Sequence, residues 1–91
     1  MIYNIDFTPQ AKDDIALLKK SEPNAFKKLE KLLIEMREHP TSGTGNPEKL
    51  KYDFAGYYSR RISNRHRIIY AIFEASIRIL VVSAYGHYND R

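Results

Sequence analysis

Three kinds of side chain in this sequence have chemistry to offer when taken together. Glu48 follows Pro47 at the end of a Gly-rich loop, Arg60, Arg61, Arg65 and Arg67 crowd one short stretch, and His87 stands near the C-terminus. Singly, each has an ordinary reading: a solvated acid, a solubilising basic face, an incidental terminal histidine. As a set they match what RNA scission requires. A base must take the 2′-hydroxyl proton, cations must hold the pentacovalent phosphate, and an acid must protonate the departing 5′-oxygen. Carboxylate, guanidinium and imidazole supply these functions with no metal and no cofactor. His39, His66 and His87 are too scattered to predict a metal site.

Elements able to position such a set can be read from periodicity. Tyr3, Ile5 and Phe7 alternate with polar residues, which predicts a strand over 2–7. Thr8 and Pro9 supply an N-cap and a first-turn proline, and Ala11, Ile15 and Leu18 share a face, so a helix is predicted over 9–20. Ser21-Glu22-Pro23 breaks it. In the next helix Phe26, Leu29, Leu32, Leu33 and Met36 recur at spacings of three and four, opposite Lys27, Lys28, Glu30, Lys31 and Glu35. His39-Pro40 ends that helix, and the two helices are expected to pair as an antiparallel hairpin lying on a sheet.

The loop over 41–47 delivers Glu48 to a short strand predicted over 50–53. Three strands then meander over 57–62, 66–73 and 77–88, with turns at 63–65 and 74–76. Ile79-Leu80-Val81-Val82 is apolar at consecutive positions, the mark of a strand buried on both faces. The fold class is therefore α+β, with an N-terminal strand and a two-helix hairpin packed on a mostly antiparallel sheet. One domain over 1–91 is expected, since a chain this short buries only about 60–65% of its unfolded surface.

Strand direction brings the candidates to one sheet edge. A turn centred on Asn64 sets Arg61 opposite Arg67, and one centred on Ala75 sets Arg67 opposite Ser83. His87 shares the parity of residues 83 and 85 but lies about 13 Å further along, so Gly86 is a candidate bulge that re-aims it. Two facing arginines repel unless an anion lies between them or Asp53 or Glu74 screens them. A local conflict of this kind tends to mark a functional site.

Charge placement agrees. Residues 1–48 carry seven Lys or Arg against eight Asp or Glu, whereas residues 49–91 carry eight against three, a balance of +5 there. Arginine forks suit phosphate, so a polyanionic partner is expected at the C-terminal half. The absence of cysteine excludes disulfides and thiolate metal sites and fits a reducing cytoplasm. MIYNIDFTPQAKDD lacks a cationic start followed by an apolar run, so no signal peptide is expected. No apolar stretch approaches the roughly 20 residues of a membrane span.

Three stretches taken in order resemble the YoeB/Txe branch of the RelE/ParE toxin superfamily. They are PTSGTGNPEKLK from Pro40 to Lys51, GYYSRRISNRHRIIYAI from Gly56 to Ile72, and Tyr85-Gly86-His87-Tyr88. The resemblance covers essentially the whole chain. It implies a RelE-like, microbial-ribonuclease-like fold and a toxin of a type II toxin–antitoxin system that cleaves mRNA at the A site of the ribosome. It makes Glu48 the general base, His87 the general acid and Arg67 the phosphate-stabilising cation. Arg61 and Lys51 assist at the phosphate, Tyr88 helps place the substrate, and Arg60 and Arg65 complete the basic substrate-binding run. The implied partners are mRNA, the 30S A site with its rRNA, a second copy of the chain, and a cognate antitoxin offering an acidic, partly disordered segment. Two departures stand out: Tyr58 occupies a position where many relatives have Trp, and Asn89-Asp90-Arg91 extends beyond the His-Tyr pair. The competing readings are a gyrase-poisoning toxin on the same superfamily fold, which needs no acid–base set, and a non-catalytic RNA- or ribosome-binding module, for which basic charge suffices.

Overall fold

The computed structural model describes residues 2–86. The first strand, β1, is Asn4–Phe7, followed by helices α1, Pro9–Ser21, and α2, Pro23–Glu38. Both helices start on a proline, whose fixed φ suits the first turn. Thr8 caps α1 by accepting from the Ala11 N–H at 3.1 Å. Strands β2 (Glu48–Lys49), β3 (Tyr57–Arg61), β4 (Arg67–Phe73) and β5 (Arg78–Ser83) complete one sheet in the order β1-β5-β4-β3-β2. Among the described strands the β1–β5 pair is parallel and the others are antiparallel. The apolar run at 79–82 lies in β5, between β1 and β4, but the expected burial on both faces holds fully on one only: Ile79 and Val81 are buried, whereas the alternating Leu80 and Val82 are half-buried.

The helical hairpin covers one face of this sheet. Leu18 from α1 and Leu29, Leu32 and Met36 from α2 meet Ile68, Tyr70, Ile79 and Val81 from β4 and β5, all at most 1% exposed. Each such side chain contributes about 1.5–3 kcal/mol by leaving water, which is why the stripe at spacings of three and four faces inward. Tyr58 stacks on Tyr70 across the strands beside this core, 5.9 Å between centroids.

Two strands differ from expectation. The strand expected over 50–53 lies instead at Glu48–Lys49, opposite Ser59 and Tyr58. The ladder ends at Leu50, whose N–H donates to Tyr57 O, because Tyr52 turns to φ +57 and opens a 3₁₀ turn over Tyr52–Phe54. The strand expected over 77–88 is shorter at both described ends. Ile77, at φ +53, belongs to the turn before β5, and after Ser83 the chain leaves the ladder. Residues 87 and 88 of that expected strand lie outside the described residues.

Candidate active site

Two local features set Glu48 in place. In the loop before it, Gly45 sits at φ +88 and its carbonyl accepts from the Arg61 N–H at 2.6 Å. A Cβ at Gly45 would lie 2.9 Å from Arg61 O, so only glycine lets the loop dock this closely on β3. Beyond the loop, β2 pairs Glu48 with Ser59. Directly opposed residues share a face, and faces alternate along a strand. Glu48, Ser59 and Arg61 therefore lie on the sheet face away from the helices, as does Arg67, which sits opposite Arg61. The facing arginines expected from the tight turn are thus present.

On that face Arg67 Nη1 lies 3.5 Å from Glu48 Oε1 and donates to Ser59 Oγ at 3.3 Å. The Arg67 side chain is 15% exposed and that of Glu48 43%, so a cation held by the sheet meets a carboxylate that solvent can reach. Glu74, one of the expected screens, is engaged elsewhere by the Tyr3 hydroxyl. Arg61 is exposed at the end of β3, Arg65 is exposed in the hairpin, and Lys51 is exposed just after β2. Of these, Arg61 is the one set directly opposite Arg67 by the strand register.

Arg60 departs from its expected role. Placed by the sequence among the substrate-binding arginines, it is fully buried on the helix side. Its guanidinium donates to Tyr70 Oη at 3.1 Å, Glu35 Oε1 at 2.8 Å, Thr44 O at 3.2 Å, and His39 O. Tyr70 in turn donates to Pro40 O at 2.7 Å. The reason is alternation: a residue next to Arg61 must point to the opposite face. Arg60 binds the loop that carries Glu48 to helix α2. Burial opposes ionisation of Glu35. Bonds from the Thr44 N–H and hydroxyl, with the Arg60 charge, outweigh it and hold the carboxyl below its ordinary value. Burial pushes the Tyr70 phenol up, and the Arg60 bond and charge pull it back only in part.

The register of β4 and β5 also departs from expectation. Ser83 pairs with Ile69 rather than Arg67, because the turn spans residues 74–77 and the register slips between Ile69 and Tyr70. The slip brings later residues to Arg67, whose N–H donates to Gly86 O at 2.9 Å. Upstream, the Ala84 N–H donates to the buried Asp14 carboxylate of α1 at 2.9 Å. His87 and Tyr88 lie outside the described residues.

Ser59, Asp14, Glu35 and His66 position this region without having stood out as sequence candidates. Glu35 reads in the sequence as an outward-facing helix acid, since a helical pattern cannot tell a solvated acid from one facing a distant partner, and the same holds for Asp14. For Arg60 a signal existed in the strand alternation. Among the described residues, no group of three or more His, Asp or Glu side chains is placed to hold a metal ion, and no helix is long and apolar enough to cross a membrane.

Known proteins share this fold and much of this sequence. The family described as "YoeB-like toxin of bacterial type II toxin-antitoxin system" matches residues 7–88. Toxin YoeB of Escherichia coli (strain K12) is 34% identical over 76 residues, covering 84% of this chain and 88% of its own. The YoeB/ParE toxin from Agrobacterium tumefaciens superposes with a TM-score of 0.87 at 32% identity, covering 93% of this chain and 99% of that one. The YoeB dimer from Staphylococcus aureus gives a TM-score of 0.83 at 36% identity, covering 97% and 100%. YoeB from the same organism has also been solved in a heterotetrameric complex with YefM, at a TM-score of 0.81, 36% identity and the same coverage.

Proposed function

We infer the activity from kinship and site together: the chain belongs to the YoeB-like toxins of bacterial type II toxin–antitoxin systems, and on that premise it is an endoribonuclease that cuts ribosome-bound mRNA at the A site. The observation that carries the reading is the Glu48–Arg67 pair, 3.5 Å apart on the sheet face away from the helices, with the carboxylate open to solvent. A phosphodiester arriving there competes with the Glu48 carboxylate for the Arg67 fork. As Arg67 turns to the phosphate, Glu48 takes the proton of the adjacent 2′-hydroxyl. The 2′-oxygen attacks phosphorus, the bond to the 5′-oxygen breaks, and His87 protonates that leaving oxygen. The products carry a 2′,3′-cyclic phosphate and a 5′-hydroxyl. Arg67 bears the charge of the pentacovalent phosphate, with Arg61 and Lys51 beside it and Tyr88 placing the substrate.

Such a site is a shallow edge with a few cations and offers little to orient a flexible strand, which favours mRNA presented by the ribosome in the cytoplasm. The same edge suits an acidic antitoxin segment, and the S. aureus relative is solved with such a system's partner, YefM. Because another S. aureus structure is a dimer, a homodimer is the proposed free form.

The test is single-turnover cleavage of ribosome-bound mRNA carrying one 2′-deoxy substitution at the scissile nucleotide. Cleavage should stop while binding persists. Cutting of the deoxy strand at an undiminished rate would exclude the 2′-hydroxyl as nucleophile and Glu48 as its base. Naked mRNA cut as fast as ribosome-bound mRNA would exclude the ribosome's role.

A further inference from the structure

We propose that His66 is a positioning residue for this site: fixed in one tautomer by Glu22, it grips the backbone of Gly86 and so holds that residue against Arg67. The inference rests on the endoribonuclease reading only for its effect on rate.

His66 is 2% exposed, and both ring nitrogens are engaged. Nε2 contacts Glu22 Oε2. Nδ1 lies 2.8 Å from the Gly86 backbone nitrogen. A backbone N–H only donates, so Nδ1 must offer a lone pair. An ionised carboxylate only accepts, so Nε2 must carry the hydrogen. The two partners impose the same neutral tautomer from opposite sides of the ring. The Tyr85 ring packs against the imidazole at 4.3 Å between centroids, covering it next to the bond it makes.

Gly86 is held at both of its polar atoms by consecutive residues. Its N–H goes to the His66 side chain, and its C=O accepts from the Arg67 N–H at 2.9 Å. Gly86 sits at φ +77, and a Cβ there would meet nothing within 4 Å. Glycine is thus used for its left-handed backbone rather than for space. The residue that follows it in the chain is His87, the proposed acid.

Glu22 supports the assignment from its own side. It stands at the junction of α1 and α2, serving as N-cap of α2 without any side-chain capping bond. Ser, Thr, Asp or Asn is the favoured residue there. The junction therefore forgoes local stabilisation, and the carboxylate reaches instead to a histidine 44 positions away. A local rule broken in this way points to a use elsewhere.

The test uses the full chain and three variants. Asn at a histidine position places an acceptor near Nδ1, and Gln places a donor near Nε2. His66→Gln therefore keeps a partner for Glu22 and loses the acceptor for Gly86, while His66→Asn keeps the acceptor. His66→Gln should speed hydrogen exchange of the Gly86 amide by tenfold or more. It should also lower single-turnover cleavage by about tenfold to a hundredfold, the order expected of an acid displaced by an ångström, with KM for ribosomes unchanged. His66→Asn should recover most of both. Glu22→Gln, which can accept or donate, should release the tautomer without removing the ring. In the wild type, ¹⁵N chemical shifts should show His66 protonated at Nε2 alone; protonation at Nδ1 would overturn the proposal even if no His66 variant folds. Unchanged Gly86 exchange in His66→Gln would also overturn it, as would faster exchange with an unchanged cleavage rate, or equal losses in His66→Asn and His66→Gln. The exchange and ¹⁵N readouts need no RNA, so they test the His66–Gly86 grip even where the ribonuclease reading fails.

Discussion

Replacing Arg60 by Met should separate two adjacent arginines that composition cannot tell apart. Met keeps an unbranched apolar stem of similar reach and removes every donor. Four acceptors lose a partner: Tyr70 Oη, Glu35 Oε1, Thr44 O and His39 O. Removing one partner of a buried ion pair costs about 3–5 kcal/mol. The Glu35 side chain is 31% exposed, so water recovers part of its solvation and the lower end, about 3 kcal/mol, applies. For a domain of this size that corresponds to a fall of about 12–24 °C in Tm, taking roughly 4–8 °C per kcal/mol. Arg61→Met, one residue along and exposed, should stay within about 0.5 kcal/mol of the wild type. Guanidinium unfolding of both variants measures the contrast as a shift in midpoint at constant slope. A double-mutant cycle with Glu35→Gln should show coupling of about 1 kcal/mol or more. The reasoning is refuted if the two Met variants unfold at the same midpoint, or if Arg60→Met costs less than about 1 kcal/mol.

Other outcomes follow from the same geometry. Glu48→Gln and His87→Gln should each lose about 10²–10⁴-fold in single-turnover cleavage, and Arg67→Lys should also fall steeply because a point charge does not reproduce the guanidinium fork; for the half-exposed Glu48, whose Gln variant keeps the side chain's size, thermal unfolding should register less than about 0.5 kcal/mol of change. Glu35 is held below its ordinary carboxyl value of 4.5, so its contribution is present above that pH and is lost as pH falls through the lower folded value. The stability gap between wild type and Glu35→Gln should accordingly close under acid titration, and a gap constant down to about pH 2 would contradict the assignment. Gly45→Ala combines left-handed strain of about 1–2 kcal/mol with a backbone contact and should destabilise more than Gly86→Ala, which meets only the strain. Charge reversal at both Arg61 and Arg67 should weaken antitoxin binding by far more than tenfold in a direct titration, and unchanged affinity would remove this edge from the proposed interface.

What the chain determined by itself is everything with a short period or a local stop signal. The apolar spacing of α2, the prolines opening both helices and the tight turn around Asn64 are local facts, and through them the facing of Arg61 and Arg67 was legible. Glu48 and Arg67 stood out separately as candidates, but their 3.5 Å approach depends on β2 pairing with β3 and β3 with β4. Registers that depend on a slip were not legible. Residues 74–77 make a four-residue turn, and the shift between Ile69 and Tyr70 moves Arg67 from Ser83 to Gly86, which no alternation pattern encodes. Nor could the sequence say which polar side chains would be buried. Arg60, Asp14 and His66 are indistinguishable in type from their exposed counterparts Arg61, Asp13 and His39. Burying such a group is tolerated only when partners distant in sequence satisfy it. Glu35 for Arg60, the Ala84 N–H for Asp14, and Glu22 with Gly86 for His66 are brought within reach only by the packed sheet and helices.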